Sequence, residues 1–172
     1  MPVLKAVLSK IDSLVHLPKA EAHCDIPCGI YDPHLAQVAA HTVIRMNMLI
    51  GQLKVPTNDA KPEERLDFQH KLTRYTDVKE KHAELCKHEV RIIWGDYFKL
   101  EHLQKFPELH DLTWKIMKAG SKGKQDINMA EAEELLNDVN RFAEIFWNTK
   151  GVNTVRVKAP YPTEREIVLP KL

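Results

Sequence analysis

The chain has 172 residues, of which 44% are hydrophobic and 28% charged, the balance of one soluble globular domain; a disordered or collagen-like polypeptide is excluded. Its 25 basic and 24 acidic residues leave a net charge of +1, which speaks against a nucleic-acid surface, and no apolar run reaches the roughly 18 residues of a membrane span. Six glycines assemble no phosphate loop, and three cysteines are too few, and odd in number, for a disulfide-stapled scaffold.

Residues 1–22 read as a separable leader. Val3, Leu4, Val7, Leu8, Ile11, Leu14 and Val15 recur at helical spacing and are followed by Pro18 and the small-x-small tripeptide Ala20-Glu21-Ala22, a pattern that points to cleavage between Ala22 and His23. An ordinary N-terminal helix packed on the domain is the alternative. Ser9, Lys10, Asp12 and Ser13 interrupt the apolar stretch, so it lacks the continuous core of a secretory signal and a cytoplasmic location is expected.

Helix one is predicted from Pro33 to Lys54, opened by Asp32-Pro33 and carrying Leu35, Val38, Ala39, Val43, Met46, Leu49, Ile50 and Leu53. A loop over Val55–Lys61 precedes helix two, which starts at Pro62-Glu63-Glu64, where the macrodipole favours acids. Its expected seam is Phe68, Leu72, Tyr75, Val78, His82, Leu85, Glu89 and Ile92, with Gly95-Asp96-Tyr97-Phe98 ending it and an irregular stretch leading to Pro107. Helix three is predicted over Pro107–Lys118, and Ala119–Asp126, with two glycines and two lysines, reads as a linker. Asn128 and Glu131 resemble a capping box for helix four, striped by Met129, Ala132, Leu136, Val139, Phe142, Ile145 and Phe146.

Strand signals are weak outside Val152–Val157, and the proline-bearing tail, 151–172, is expected to be extended or to lie across a neighbour. Four amphipathic helices with short connections imply an all-α fold, an antiparallel four-helix bundle. Cys86 reads as an inert buried thiol, His34, His70, His88, His102 and His110 as scattered surface or capping residues, and Trp94, Trp114 and Trp147 as core or interface aromatics.

The segment His23-Cys24-Asp25-Ile26-Pro27-Cys28-Gly29 is the one place where borderline and soft metal ligands crowd together. Three residues separate the two cysteines, which is not the zinc-knuckle spacing, and no second ligand pair lies nearby. Cleavage before His23 adds an α-amino donor, whose pKa is near ~8 when free. The amine, the Cys24 backbone amide and the thiolates of Cys24 and Cys28 then form a planar nitrogen and sulfur set with the His23 ring axial, the geometry of divalent nickel or copper. Pro27 restricts the turn and Gly29 permits a tight return. A non-catalytic metal-binding protein and a thiol-disulfide redox protein using Cys24 and Cys28 are the rival readings.

HCDIPCGIYDP from His23 to Pro33, IIWGDYFK from Ile92 to Lys99 and FPELH from Phe106 to His110 resemble the nickel-containing superoxide dismutases, over about His23–Lys150. The resemblance implies a leader removed before His23, a four-helix bundle over 23–150 with an N-terminal metal hook, one nickel ion per subunit, a hollow homohexamer and a processing protease as partner. It implies that His23 ligates through amine and ring, Cys24 through amide and thiolate, and Cys28 through thiolate. Tyr31 would stand at the mouth of the pocket, Asp25 would help fold the hook, and Tyr97 with Asp96 would contribute to the pocket floor. Two departures are an alanine at Ala39, where many members place an acid that holds the axial histidine ring, and a histidine at His82 in place of an arginine; His41 or His82 would be the substitutes.

The ligand types suit this chemistry independently. Anionic thiolate and amide donors lower the potential of nickel into the range where it can both oxidise and reduce superoxide. Lysines steer the small anion, and Lys99 is the candidate. Tyr31, water or a coordinated thiol would supply protons.

Overall fold

A computed structural model of the chain describes residues 29–172. Asp32 accepts a hydrogen bond from the His34 backbone N–H at 2.8 Å and so starts α1, His34–Gly51. Glu64 accepts from the Lys61 N–H at 3.1 Å and closes the start of α2, Pro62–Ile92. A π-helical turn, Ile93–Tyr97, extends α2, and α3, Leu100–Lys105, α4, Leu109–Gln125, and α5, Met129–Thr149, follow. The Asn128 side chain caps α5 by accepting from the N–H groups of Ala130 and Glu131. The Glu131 carboxylate pairs with Lys122 at 2.7 Å, so the expected capping box is half formed. The chain is mostly helical, with α1 packed on α2 and α5, α2 on α4, and α4 on α5.

The core agrees best with the predicted stripe in α5, where Ala132, Leu136, Val139, Phe142, Ile145 and Phe146 are buried. On α2 the buried line is Lys79, Ala83, Cys86 and Val90, one position along from the predicted seam, and Leu85 of that seam is exposed. Small side chains at Ala83 and Cys86 let neighbouring helices approach, while the larger residues flank the contact. Lys79, though buried, donates to the Asp126 carbonyl at 2.6 Å and satisfies the C-terminal end of α4; burial holds its pKa below the ordinary lysine value.

Two connections differ from expectation. The predicted linker Ala119–Asp126 is helical as far as Gln125, because Ala119, Gly120 and Gly123 are buried packing positions. A methyl group on Gly120 would fall 2.7 Å from the Lys87 side chain, so glycine here serves close helix approach. The irregular stretch before Pro107 contains α3, six residues long and too short to show an apolar period.

The tail departs from the all-α expectation. Strands β1, Thr154–Lys158, and β2, Glu166–Pro170, form an antiparallel hairpin in which Arg156 faces Val168. It folds back on its own chain, against α5 and α1. The buried Gln37 amide on α1 donates to the Val168 carbonyl at 3.1 Å and accepts from the Val168 N–H at 2.8 Å, taking the place of a third strand. Asn140 on α5 donates to the Glu166 carbonyl at 3.0 Å. All three bonds fall on the outer edge of β2, which is thereby closed by helix side chains.

Candidate active site

Glycine at position 95 weakens helical continuity after Val90, and the chain widens into a π turn in which the Phe98 N–H bonds the Ile93 carbonyl, five residues back, at 3.3 Å. The turn buries Ile93, exposes Trp94 and Asp96, and directs Tyr97 inward to a half-buried position. There Tyr97 meets Phe146 of α5 at 4.8 Å and Phe98 at 5.2 Å between ring centroids, and the His102 ring of α3 stacks on it at 5.5 Å with planes 17° apart. Its hydroxyl lies 2.8 Å from Thr149 Oγ1.

The Tyr31 ring leans on this cluster, 5.7 Å from Tyr97 and tilted by 52°. The structure therefore brings together two of the predicted site residues, which are far apart in sequence. Asp96 is exposed on the π turn. Lys99 is also exposed, and its backbone N–H donates to His102 Nδ1 at 3.1 Å. An ammonium also reaches the cluster: Lys150 Nζ stands 5.2 Å from the Tyr97 ring centroid and 5.1 Å from that of Phe146. Ala22, His23, Cys24, Asp25 and Cys28 lie outside the described residues.

Sequence reasoning missed Thr149, Lys150 and the stacking role of His102. They carry no local motif; the one available signal is that Thr149 and Lys150 follow Phe146 by three and four residues, on one face of a helix.

The residues at the two departures are also placed. Ala39 is fully buried in the core, and His82, half-buried, bonds the Val78 carbonyl of its own helix through Nδ1 at 2.8 Å. His41 faces the hairpin: its Nδ1 lies 2.8 Å from Thr163 Oγ1 and its ring meets Tyr161 edge-on at 5.0 Å. Burial lowers its pKa below the ordinary 6.5, against the opposing pull of the Glu166 carbonyl. Cys86 is fully buried, and burial pushes its thiol up to about 12, so it is no thiolate donor. Among the described residues no group of three or more His, Cys, Asp or Glu side chains is arranged to hold a metal ion, and no helix is long and apolar enough to cross a membrane.

The family model for nickel-containing superoxide dismutases matches residues 18–150. The nickel superoxide dismutase of Streptomyces coelicolor is 40% identical over 129 residues, 75% of this chain and 88% of the relative. That of Streptomyces seoulensis is 39% identical over 132 residues, 77% of this chain and 91% of the relative. A native nickel superoxide dismutase crystal structure superimposes with a TM-score of 0.64 at 37% identity, covering 75% of this chain and 99% of the solved one. An apo form gives a TM-score of 0.61 at 35% identity, covering 72% and 99%. The chain belongs to the nickel-containing superoxide dismutase family, with superoxide as its substrate and nickel as its cofactor.

Proposed function

We propose that superoxide is disproportionated at a hook formed by His23, Cys24 and Cys28, created when the leader 1–22 is cut away after Ala22. The observation that carries this reading is the ring contact of Tyr31 with Tyr97. Tyr31 is three residues beyond Cys28, a covalent reach of at most about 11 Å, so the second ligating cysteine is tethered to the aromatic corner. The donor set fits nickel. Cys86, the one cysteine among the described residues, is buried and protonated, which leaves the thiolates of Cys24 and Cys28 as the soft anionic donors of this chain. The chemistry supplied by bound nickel is one-electron exchange, alternately taking an electron from one superoxide and returning it to another.

The remaining roles belong to the chain. The His23 amine, freed by cleavage, the Cys24 amide and the His23 ring would complete the donor set. Asp25 helps fold the hook. Tyr31 restricts access and holds ordered water, while Tyr97, wedged between Phe146 and His102, supports its ring. Asp96 borders the pocket floor. Lys99, exposed beside the corner, attracts the anion, and Lys150 adds positive charge to the same approach. The mature unit is an antiparallel four-helix bundle over 23–150 with the extension 151–172, assembled as a homohexamer in the cytoplasm after a protease removes the leader.

The test is nickel analysis and dismutase assay of Cys24→Ser, Cys28→Ser and Cys86→Ala. The first two should lose both nickel and turnover, and the third should keep both. Full nickel and turnover in Cys28→Ser would refute the hook.

A further inference from the structure

The hydrogen bonds around Thr149 have a defined direction. Its hydroxyl carries one proton, and the contact with the Phe146 carbonyl, at 2.6 Å, has only that hydroxyl as a possible donor. In the 2.8 Å contact between Thr149 Oγ1 and the Tyr97 hydroxyl, the phenol must then be the donor. The phenolic proton is thereby committed to the end of α5, and what the Tyr97 oxygen offers elsewhere is acceptor capacity. Ring contacts on several sides, with Phe146, Phe98 and His102, fix the ring itself, so the remaining freedom of Tyr97 is rotation of its O–H.

We infer that Thr149 is a positioning residue that turns the Tyr97 proton away from the reaction site, so that Tyr97 serves as a hydrogen-bond acceptor for site water and not as the proton source for peroxide. The inference rests on the proposed placement of Tyr97 beside the hook. The two protons that peroxide formation consumes are drawn from elsewhere in the site, and the Tyr97 oxygen orients a water that donates to it.

The test compares Thr149→Val, which keeps the shape and deletes the hydroxyl, with Thr149→Ser, which keeps the hydroxyl. Both are assayed as mature, nickel-loaded enzyme for nickel per chain, kcat, KM and the pH profile of kcat. Both should bind nickel as the parent does. Thr149→Val should lose about tenfold in kcat with KM unchanged, the scale of one misdirected hydrogen bond. The pH profile of its kcat should also change, because the freed O–H of Tyr97 can then turn toward the site. Thr149→Ser should restore both values. Parental kcat and pH profile in Thr149→Val, or equal impairment in Thr149→Ser, would overturn the inference. Tyr97→Phe is measured alongside: parental turnover at full nickel in that variant would remove Tyr97 from the site and overturn the underlying placement as well, which separates the two failures.

Discussion

The aromatic corner around Tyr97 and the seam between the hairpin and α1 use opposite physics. At the seam, buried amides of Gln37 and Asn140 meet backbone groups of β2, and each removed partner strands a polar group away from water. At the corner, aromatic rings lean on one another, and a polar anchor, Tyr97 to Thr149, lies at its edge. The seam is thus built for stability, and the corner, in the proposed reading, for holding a surface in place beside the substrate's approach. The seam's strands also lie beyond the family match, which ends at residue 150, whereas Tyr31 and Tyr97 lie within it.

Gln37→Leu breaks the seam most severely. It leaves both the N–H and the carbonyl of Val168 unsatisfied, so we expect a loss of about 3 kcal/mol, read as a lower denaturation midpoint. Turnover per bound nickel should be unchanged; a variant that melts normally would show that Gln37 does not hold the hairpin. Tyr97→Phe is the converse, with a normal melting temperature and turnover down about tenfold. A melting change without a turnover change would make the corner a purely structural element.

His41 supplies a pH dependence at the seam. Its folded-state pKa lies below 6.5, so the unfolded chain takes up the proton first as pH falls. Its contribution is therefore intact above 6.5 and is lost as pH drops from there toward the folded-state value. Melting temperatures of His41→Gln should decline less steeply over that interval than those of the parent.

The smallest effect belongs to Glu84, where burial raises the carboxyl pKa but the hydrogen bonds of Arg91 and Lys124, with the charge of Lys87, outweigh it and bring it to about 2. Stability from this ion-pair cluster is present above the ordinary 4.5 and is lost as pH falls toward 2. The Glu84 side chain is 43% exposed, so Glu84→Gln should cost under about 1 kcal/mol at neutral pH. An equal acid response in parent and variant would remove Glu84 as its source.

The helices were legible where sequence period and burial coincide, as in α5, whose stripe from Ala132 to Phe146 is the core. They were misread where small residues bury. Gly120 and Gly123 look like linker composition but are contact points between helices, and Ala83 and Cys86 line a seam that the sequence period assigns to larger neighbours. Strand β2 was invisible because its outer edge is closed by Gln37 and Asn140, more than a hundred and more than twenty positions away respectively. Tyr31 and Tyr97 were legible from motif resemblance. Thr149 and Lys150 were not, since a partner that closes a tertiary contact needs no pattern around itself.

The most direct test of the central claim is nickel content and dismutase turnover of one protein preparation before and after cleavage between Ala22 and His23. The proposed hook would use a free amine at His23, so only the cut chain should hold one nickel ion and dismute superoxide. Equal nickel and equal turnover in the uncut chain would rule out the His23 amine as a ligand.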